Sequence, residues 1–268
     1  MVKKSGFNRY NAIIDHVFSE HFVPGCKEFE FTREEFERIA EQLAIKLPKN
    51  LGDLPYTFRY RKDLPNSIRA TADQGLEWII EGAGRSRYRF RQAKVNRIAP
   101  RDDLVTLKIP DATPEIITAY AQSDEQALLA KVRYNRLIDI FLGMAAYSLQ
   151  NHLRTTVAGI GQIEVDEIYV GIDRYGRQFV IPVQAKGGSD QHGAIQTQQD
   201  IACCRAKFPT LICRPISAQF MSETRIALFE LAVEDAELKI VEERHYRLVP
   251  AAEISPDDLR SYGIRAKP

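Results

Sequence analysis

The chain is poor in cysteine, glycine and proline, has no long apolar run, and carries almost no net charge. Its four cysteines (Cys26, Cys203, Cys204 and Cys213) fit no zinc-ligand spacing and are too few for a disulfide framework. A reducing, cytoplasmic setting is the expectation. With 15 Gly and 13 Pro in 268 residues, collagenous, low-complexity and mainly disordered chains are excluded. No apolar stretch approaches the roughly 18 residues of a membrane span. The opening Met1-Val2-Lys3-Lys4-Ser5-Gly6 has no hydrophobic block behind its lysines, so neither a membrane association nor a cleaved signal peptide is expected. What remains is 44% hydrophobic and 27% charged, enough for a packed core in one large or two ordinary domains.

The net charge of +1 says nothing about partners, but its distribution does. Residues 1–110 hold 20 Lys/Arg against 15 Asp/Glu, and the rest 17 against 21. The excess lies between Arg85 and Arg101, where seven basic residues occur without an acidic one. Such a cluster is the electrostatic footprint expected for phosphate, or else a solvated charged surface.

Thr32 and Glu35 form a capping box, with Phe31 and Phe36 at the staple positions, opening a helix from Arg33 to about Lys46. Tyr56 to Arg61 alternates like a short strand, and a second helix is expected from about Pro65 to Ala72. Leu76–Glu81 and Arg85–Arg91 flank Gly82-Ala83-Gly84 and read as a β-hairpin. Alternation puts Arg85, Arg87, Arg89 and Arg91 on one face at steps of about 6.6 Å, able to follow a phosphate backbone. The competing expectation pairs Glu81 with Arg85 and Glu77 with Arg89 across the hairpin. Helix, helix, hairpin is the order of a winged-helix DNA-binding unit.

The pattern breaks near Lys108–Pro114, which divides the chain into domains of residues 1–110 and 111–268. A capping box at Ser123 and Gln126 opens a long helical stretch to about Leu153. Two alternating runs follow, 160–171 and 178–186, joined by a turn at Asp173–Arg177. A polar helix from about Gln191 to Ala206 and strands near 211–216 and 226–231 complete an α/β or α+β core.

On the 162–186 hairpin, period two places Glu164 and Asp166 on one face, and Gln184 and Lys186 on one face of the partner strand. If the polar faces coincide, two carboxylates, an amide oxygen and an ammonium converge beside a packed core. Such hard oxygen ligands suit Mg²⁺, and a neighbouring lysine stabilises developing negative charge. Glu167 points away if the strand is regular, and Asp139 or Glu125 on the preceding helix could add a carboxylate.

Glu164-Val165-Asp166, followed 18 positions after Asp166 by Gln184-Ala185-Lys186, resembles the active site of the PD-(D/E)XK nuclease superfamily in its Gln-x-Lys variant. The resemblance covers roughly residues 125–230. It implies a restriction-endonuclease-like mixed sheet flanked by helices, preceded by a smaller winged-helix-like domain. It implies Asp166 as principal Mg²⁺ ligand, Gln184 ligating through its side-chain oxygen, the Ala185 carbonyl completing coordination, and Lys186 as the catalytic lysine. Glu164 is an accessory candidate. No proline precedes Asp166, and Gln184 removes a negative charge from the usual set. Residues 48–61 and the arginine hairpin are similar to the reading half of restriction-type endonucleases, with Arg59, Arg61, Asn66, Arg69, Arg85, Arg87, Arg89 and Arg91 as DNA contacts.

The expected function is a Mg²⁺-dependent endonuclease acting on double-stranded DNA and leaving 5′-phosphates. A type II restriction enzyme, working as a homodimer because a palindromic cut needs two sites related by a twofold axis, is the leading form. The alternatives are a repair or junction-resolving nuclease and a non-catalytic winged-helix regulator.

Overall fold

The computed structural model describes residues 9–48, 50–60, 62–94, 98–120, 124–158, 160–187, 193–234 and 237–265. The chain divides into two compact units. The first comprises residues 1–95 with 156–162, and the second 96–155 with 163–268. Each is mixed α and β.

In the first unit the order is α1 (Arg9–His21), β1 (Glu28–Thr32), α2 (Arg33–Gln42), α3 (Asp53–Tyr60), α4 (Asn66–Arg69), β2 (Glu77–Gly82) and β3 (Arg87–Ala93). The three strands form one antiparallel sheet, β1-β3-β2. The capping box at the start of α2 is present: the Thr32 N–H donates to Glu35 at 2.7 Å. Phe31 and Phe36 lie with ring centroids 5.5 Å apart. Phe18, Trp78 and Phe90 pack edge to face in the same core, and the Trp78 indole N–H donates to Thr71.

Two expectations change here. Tyr56–Tyr60 is helical within α3, with the backbone N–H of Tyr56 bonded to the Gly52 carbonyl. Tyr56, Phe58 and Tyr60 alternate, yet Leu54 and Phe58 are four apart and share the buried stripe. The hairpin register also differs: Glu81 stands opposite Arg89, and Glu77 opposite Ala93, because the turn takes up residues 83–86.

The second unit continues with β4 (Thr106–Pro110), α5 (Glu115–Tyr120), α6 (Asp124–Tyr134), α7 (Leu137–Leu142), β5 (Ala145–Val157), β6 (Gly161–Ile172), β7 (Gln178–Lys186), α8 (Ala194–Lys207), β8 (Ile212–Cys213), β9 (Ile216–Phe220), β10 (Arg225–Glu234), β11 (Glu237–Val249) and α9 (Pro256–Arg265). Its mixed sheet has eight strands in the order β4-β11-β10-β9-β7-β6-β5, with β8 beside β7. The β7/β9, β7/β8 and β4/β11 pairs are parallel. Since β4 belongs to this sheet, the division falls near residue 95 rather than 110.

The long helix expected to reach Leu153 is cut twice. Arg136, with φ of 51°, separates α6 from α7, and Gly143, with φ of 64°, ends α7. Ala145 onward is strand. The Ser123 capping box lies outside the described residues. Leu128, Leu129, Val132, Leu137, Ile138 and Phe141 pack on one sheet face with Ile181, Val183 and Ala185. Strand alternation sends Gln184 to the opposite face, where α8 lies. Cys203 and Cys204 are fully buried on α8.

Truncating Phe90, which has no exposed surface, tests the first core. Phe90→Ala is expected to cost about 3–5 kcal/mol, read as an earlier denaturation midpoint in the fluorescence of Trp78, the chain's single tryptophan. A midpoint within experimental scatter of wild type would contradict this packing.

Candidate functional site

The turn joining β6 to β7 is built from Asp173, whose Oδ1 accepts the backbone N–H groups of Tyr175 and Arg177 while Oδ2 accepts from the Arg177 side chain at 2.7 Å. Gly176 supplies the positive φ, 78°, that the reversal needs. From there the strands pair antiparallel from Ile172 opposite Gln178 to Glu167 opposite Val183. Residues directly opposite share a face, so this register carries Asp166, Gln184 and Lys186 to the same side.

Hydrogen bonds fix the first two. The Ala185 N–H donates to Asp166 Oδ2 at 2.9 Å. Gln184 is fully buried, and its amide nitrogen donates to the Glu164 carbonyl at 3.2 Å and to Asp200 Oδ1 at 3.1 Å. Both of its N–H donors are thereby used. Its oxygen accepts from Gln196 Nε2 at 2.8 Å, leaving one lone pair. Asp200 and Gln196 both come from α8. Asp200 is 1% exposed and was not among the residues expected from sequence.

The Asp166 charge acts on Asp200. Burial pushes Asp200 well above the ordinary aspartate range, with the Asp166 charge adding to the rise and the Gln184 amide and Lys186 opposing it. Burial likewise raises Asp166, against the Ala185 N–H and the charges of Lys186 and His152. Lys186, half-buried, is thus the cation felt by both. Among the described residues no three His, Cys, Asp or Glu side chains surround a common point. The donor set is two carboxylates and one amide oxygen, which matches the habit of Mg²⁺ of taking one or two carboxylates and leaving its other positions to water and phosphate. By donor chemistry the residues fit such a cation.

Glu164 is engaged otherwise. Its Oε1 lies 3.1 Å from Arg154 Nη2 and 4.0 Å from His152 Nδ1. Glu167 points to the opposite face, fully buried, and accepts from Arg133 Nε at 2.9 Å. Asp139 pairs with Arg136 and accepts the Ala146 N–H at 3.0 Å. It lines a cavity of about 540 Å³ with Pro110, Tyr134 and Ile140. Asp139 belongs to α7 and Glu125 to α6, the helices packed on the face away from Gln184.

In the first unit the hairpin arginines are largely paired. Arg87 and Arg89 both donate to Glu30 of β1, and Arg91 donates to Glu81 at 2.7 Å. The competing expectation of cross-strand pairing therefore holds in kind, with β1 supplying an acid the two-strand picture lacked. Arg85 is exposed at the turn, as are Asn66 and Arg69 on α4, with Arg69 3.5 Å from Asp63. Arg61 and the side chain of Arg59 lie outside the described residues, as does His192.

Comparison of the chain with protein-family models, curated proteins and solved structures finds no match.

The raised pKa of Asp200 makes a stability prediction. Its favourable contribution is complete below the unfolded aspartate value of about 3.9 and is lost as pH rises through the elevated native value. Asp200→Asn keeps an oxygen for the Gln184 amide and carries no charge. It is expected to melt above wild type at neutral pH, with the two melting temperatures converging toward about pH 4. A variant that melts lower at neutral pH would contradict the assignment.

Proposed function

We propose that the second unit is a Mg²⁺-dependent nuclease centre of the PD-(D/E)XK kind, acting on double-stranded DNA. The observation that carries this reading is the placing of Asp166 and Lys186 on one face with Asp200, which is 1% exposed, is held by the Gln184 amide and feels the Asp166 charge. Burying two like charges is costly, and a bound cation relieves that cost.

In this reading Asp166 and Asp200 would hold Mg²⁺, with the remaining lone pair of Gln184 beside them. When bound, the ion supplies Lewis-acid polarisation of the phosphoryl group and an activated water. The chain's own groups do the rest. Lys186 stabilises negative charge developing on the phosphate and orients the attacking water. The Ala185 N–H fixes the Asp166 carboxylate, and Gln196 and Asp200 fix the Gln184 amide. Attack of the water on phosphorus, in line with the P–O3′ bond, would break that bond and give a 5′-phosphate and a 3′-hydroxyl.

The first unit, with element order α1-β1-α2-α3-α4-β2-β3 and sheet order β1-β3-β2, is proposed as a winged-helix reader of the duplex. Asn66, Arg69 and Arg85 are its exposed contacts. Arg87, Arg89 and Arg91 meet phosphate only by sharing or leaving their glutamates. A sequence-specific restriction enzyme acting as a twofold dimer is the form that joins a reader to such a centre.

Incubation of the purified chain with plasmid or phage DNA and Mg²⁺ tests the proposal. Discrete cleavage is expected, abolished by chelator and slowed about 10²–10³-fold or more in Lys186→Ala. Intact DNA across a wide range of conditions, or unchanged cleavage by Lys186→Ala, would overturn it.

A further inference from the structure

His152 lies in the interior of β5 with φ of 47°. That is the left-handed region, uncommon for a residue other than glycine and notable within a strand. A break of this kind interrupts the two-residue alternation and re-aims a side chain, a device concentrated at sheet edges and beside active sites. β5 is such an edge.

The re-aimed imidazole is held at one nitrogen and faces a carboxylate with the other. Gln126 Nε2 lies 2.7 Å from His152 Nε2. An amide nitrogen can only donate, so Nε2 accepts and the ring proton resides on Nδ1. Nδ1 faces Glu164 Oε1 at 4.0 Å. Two residues on, Arg154 Nη2 reaches the same oxygen at 3.1 Å. Both donors are accessible, with His152 51% and Arg154 67% exposed. The ring Nδ1 and the guanidinium thus both face one carboxylate oxygen, that of Glu164, whose charge acts on Asp166. An anionic oxygen of a phosphodiester presents the same acceptor chemistry to both.

We propose that His152 and Arg154 bind a backbone phosphate of the substrate next to the scissile bond, with the Glu164 carboxylate holding the Arg154 guanidinium and facing the His152 ring when substrate is absent. This rests on the nuclease reading above and adds a substrate-contacting pair to it. It gives Glu164 the part of an exchangeable acceptor rather than an accessory cation ligand. The left-handed backbone at residue 152 is then a feature of function: it turns the imidazole toward the position where the strand runs past the centre.

The decisive variant is His152→Gly, because glycine adopts positive φ without strain and removes only the ring. His152→Asn, whose residue type tolerates the same backbone and carries a donor, accompanies it. The full chain is assayed with Mg²⁺ on a short duplex containing its cleavage site, in single turnover, alongside melting temperature. His152→Gly is expected to melt at or above the wild-type temperature and to cut about 10²-fold more slowly, with His152→Asn between the two. Duplexes carrying a neutral methylphosphonate at each phosphate flanking the cut, in turn, locate the contact. At one position wild type and His152→Gly should cut alike. Wild-type cleavage by His152→Gly, or slow cleavage that no methylphosphonate equalises, would overturn the phosphate contact and leave the nuclease reading standing. A wild-type chain that neither binds nor cuts duplex DNA would overturn both.

Discussion

A helix carboxylate bonded to a strand amide organises the second unit's chemistry. Asp200 on α8 accepts from Gln184 on β7, whose other N–H goes to the backbone of β6 at Glu164. One buried amide therefore ties together a helix and two strands. The arrangement is poor for stability: Asp200 is out of water with a second carboxylate nearby, and a buried anion without a full partner is among the most costly groups in a protein interior. Apolar residues of similar volume would hold α8 to the sheet more economically. The proposed cation site gives this pair beside Lys186 a chemical rather than a packing role.

The first unit manages charge in the opposite way. Its arginines are answered locally: Glu30 takes Arg87 and Arg89, and Glu81 takes Arg91. These pairs are partly exposed, so each contributes little to folding. Their effect is to hold the basic strand without bare like-charge repulsion and to leave Arg85 at the turn as the exposed cation. The aromatic cluster around Phe18, Trp78 and Phe90 supplies the rigidity that so small a sheet requires.

The β6–β7 hairpin was legible because its pattern is local. Alternation over residues 160–186 and a five-residue turn suffice to place Asp166, Gln184 and Lys186 on one face, and the observed strands, Gly161–Ile172 and Gln178–Lys186, follow that reading. Asp200 was illegible because its place depends on how α8 packs after residues 187–193, and no periodicity across that segment specifies the angle. Residues 145–153 misled for a related reason. Ala145, Ala146, Leu149 and Gln150 favour helix, whereas pairing at the sheet edge after Gly143 decides for strand, an instance of tertiary context overriding propensity. Tyr56–Tyr60 erred the other way, its alternating aromatics imitating a strand while the buried stripe of Leu54 and Phe58 is helical. The left-handed backbone at His152 was hidden too, since a backbone angle is not written in residue identity.

Cation binding by the Asp166 and Asp200 pair is the claim on which the chemistry depends. Isothermal titration of Mg²⁺ into the full chain at neutral pH, with Asp166→Asn and Asp200→Asn as comparisons, measures it directly. The account predicts saturable binding by wild type that either substitution removes. Absence of Mg²⁺ binding, or binding that survives both substitutions unchanged, would contradict it.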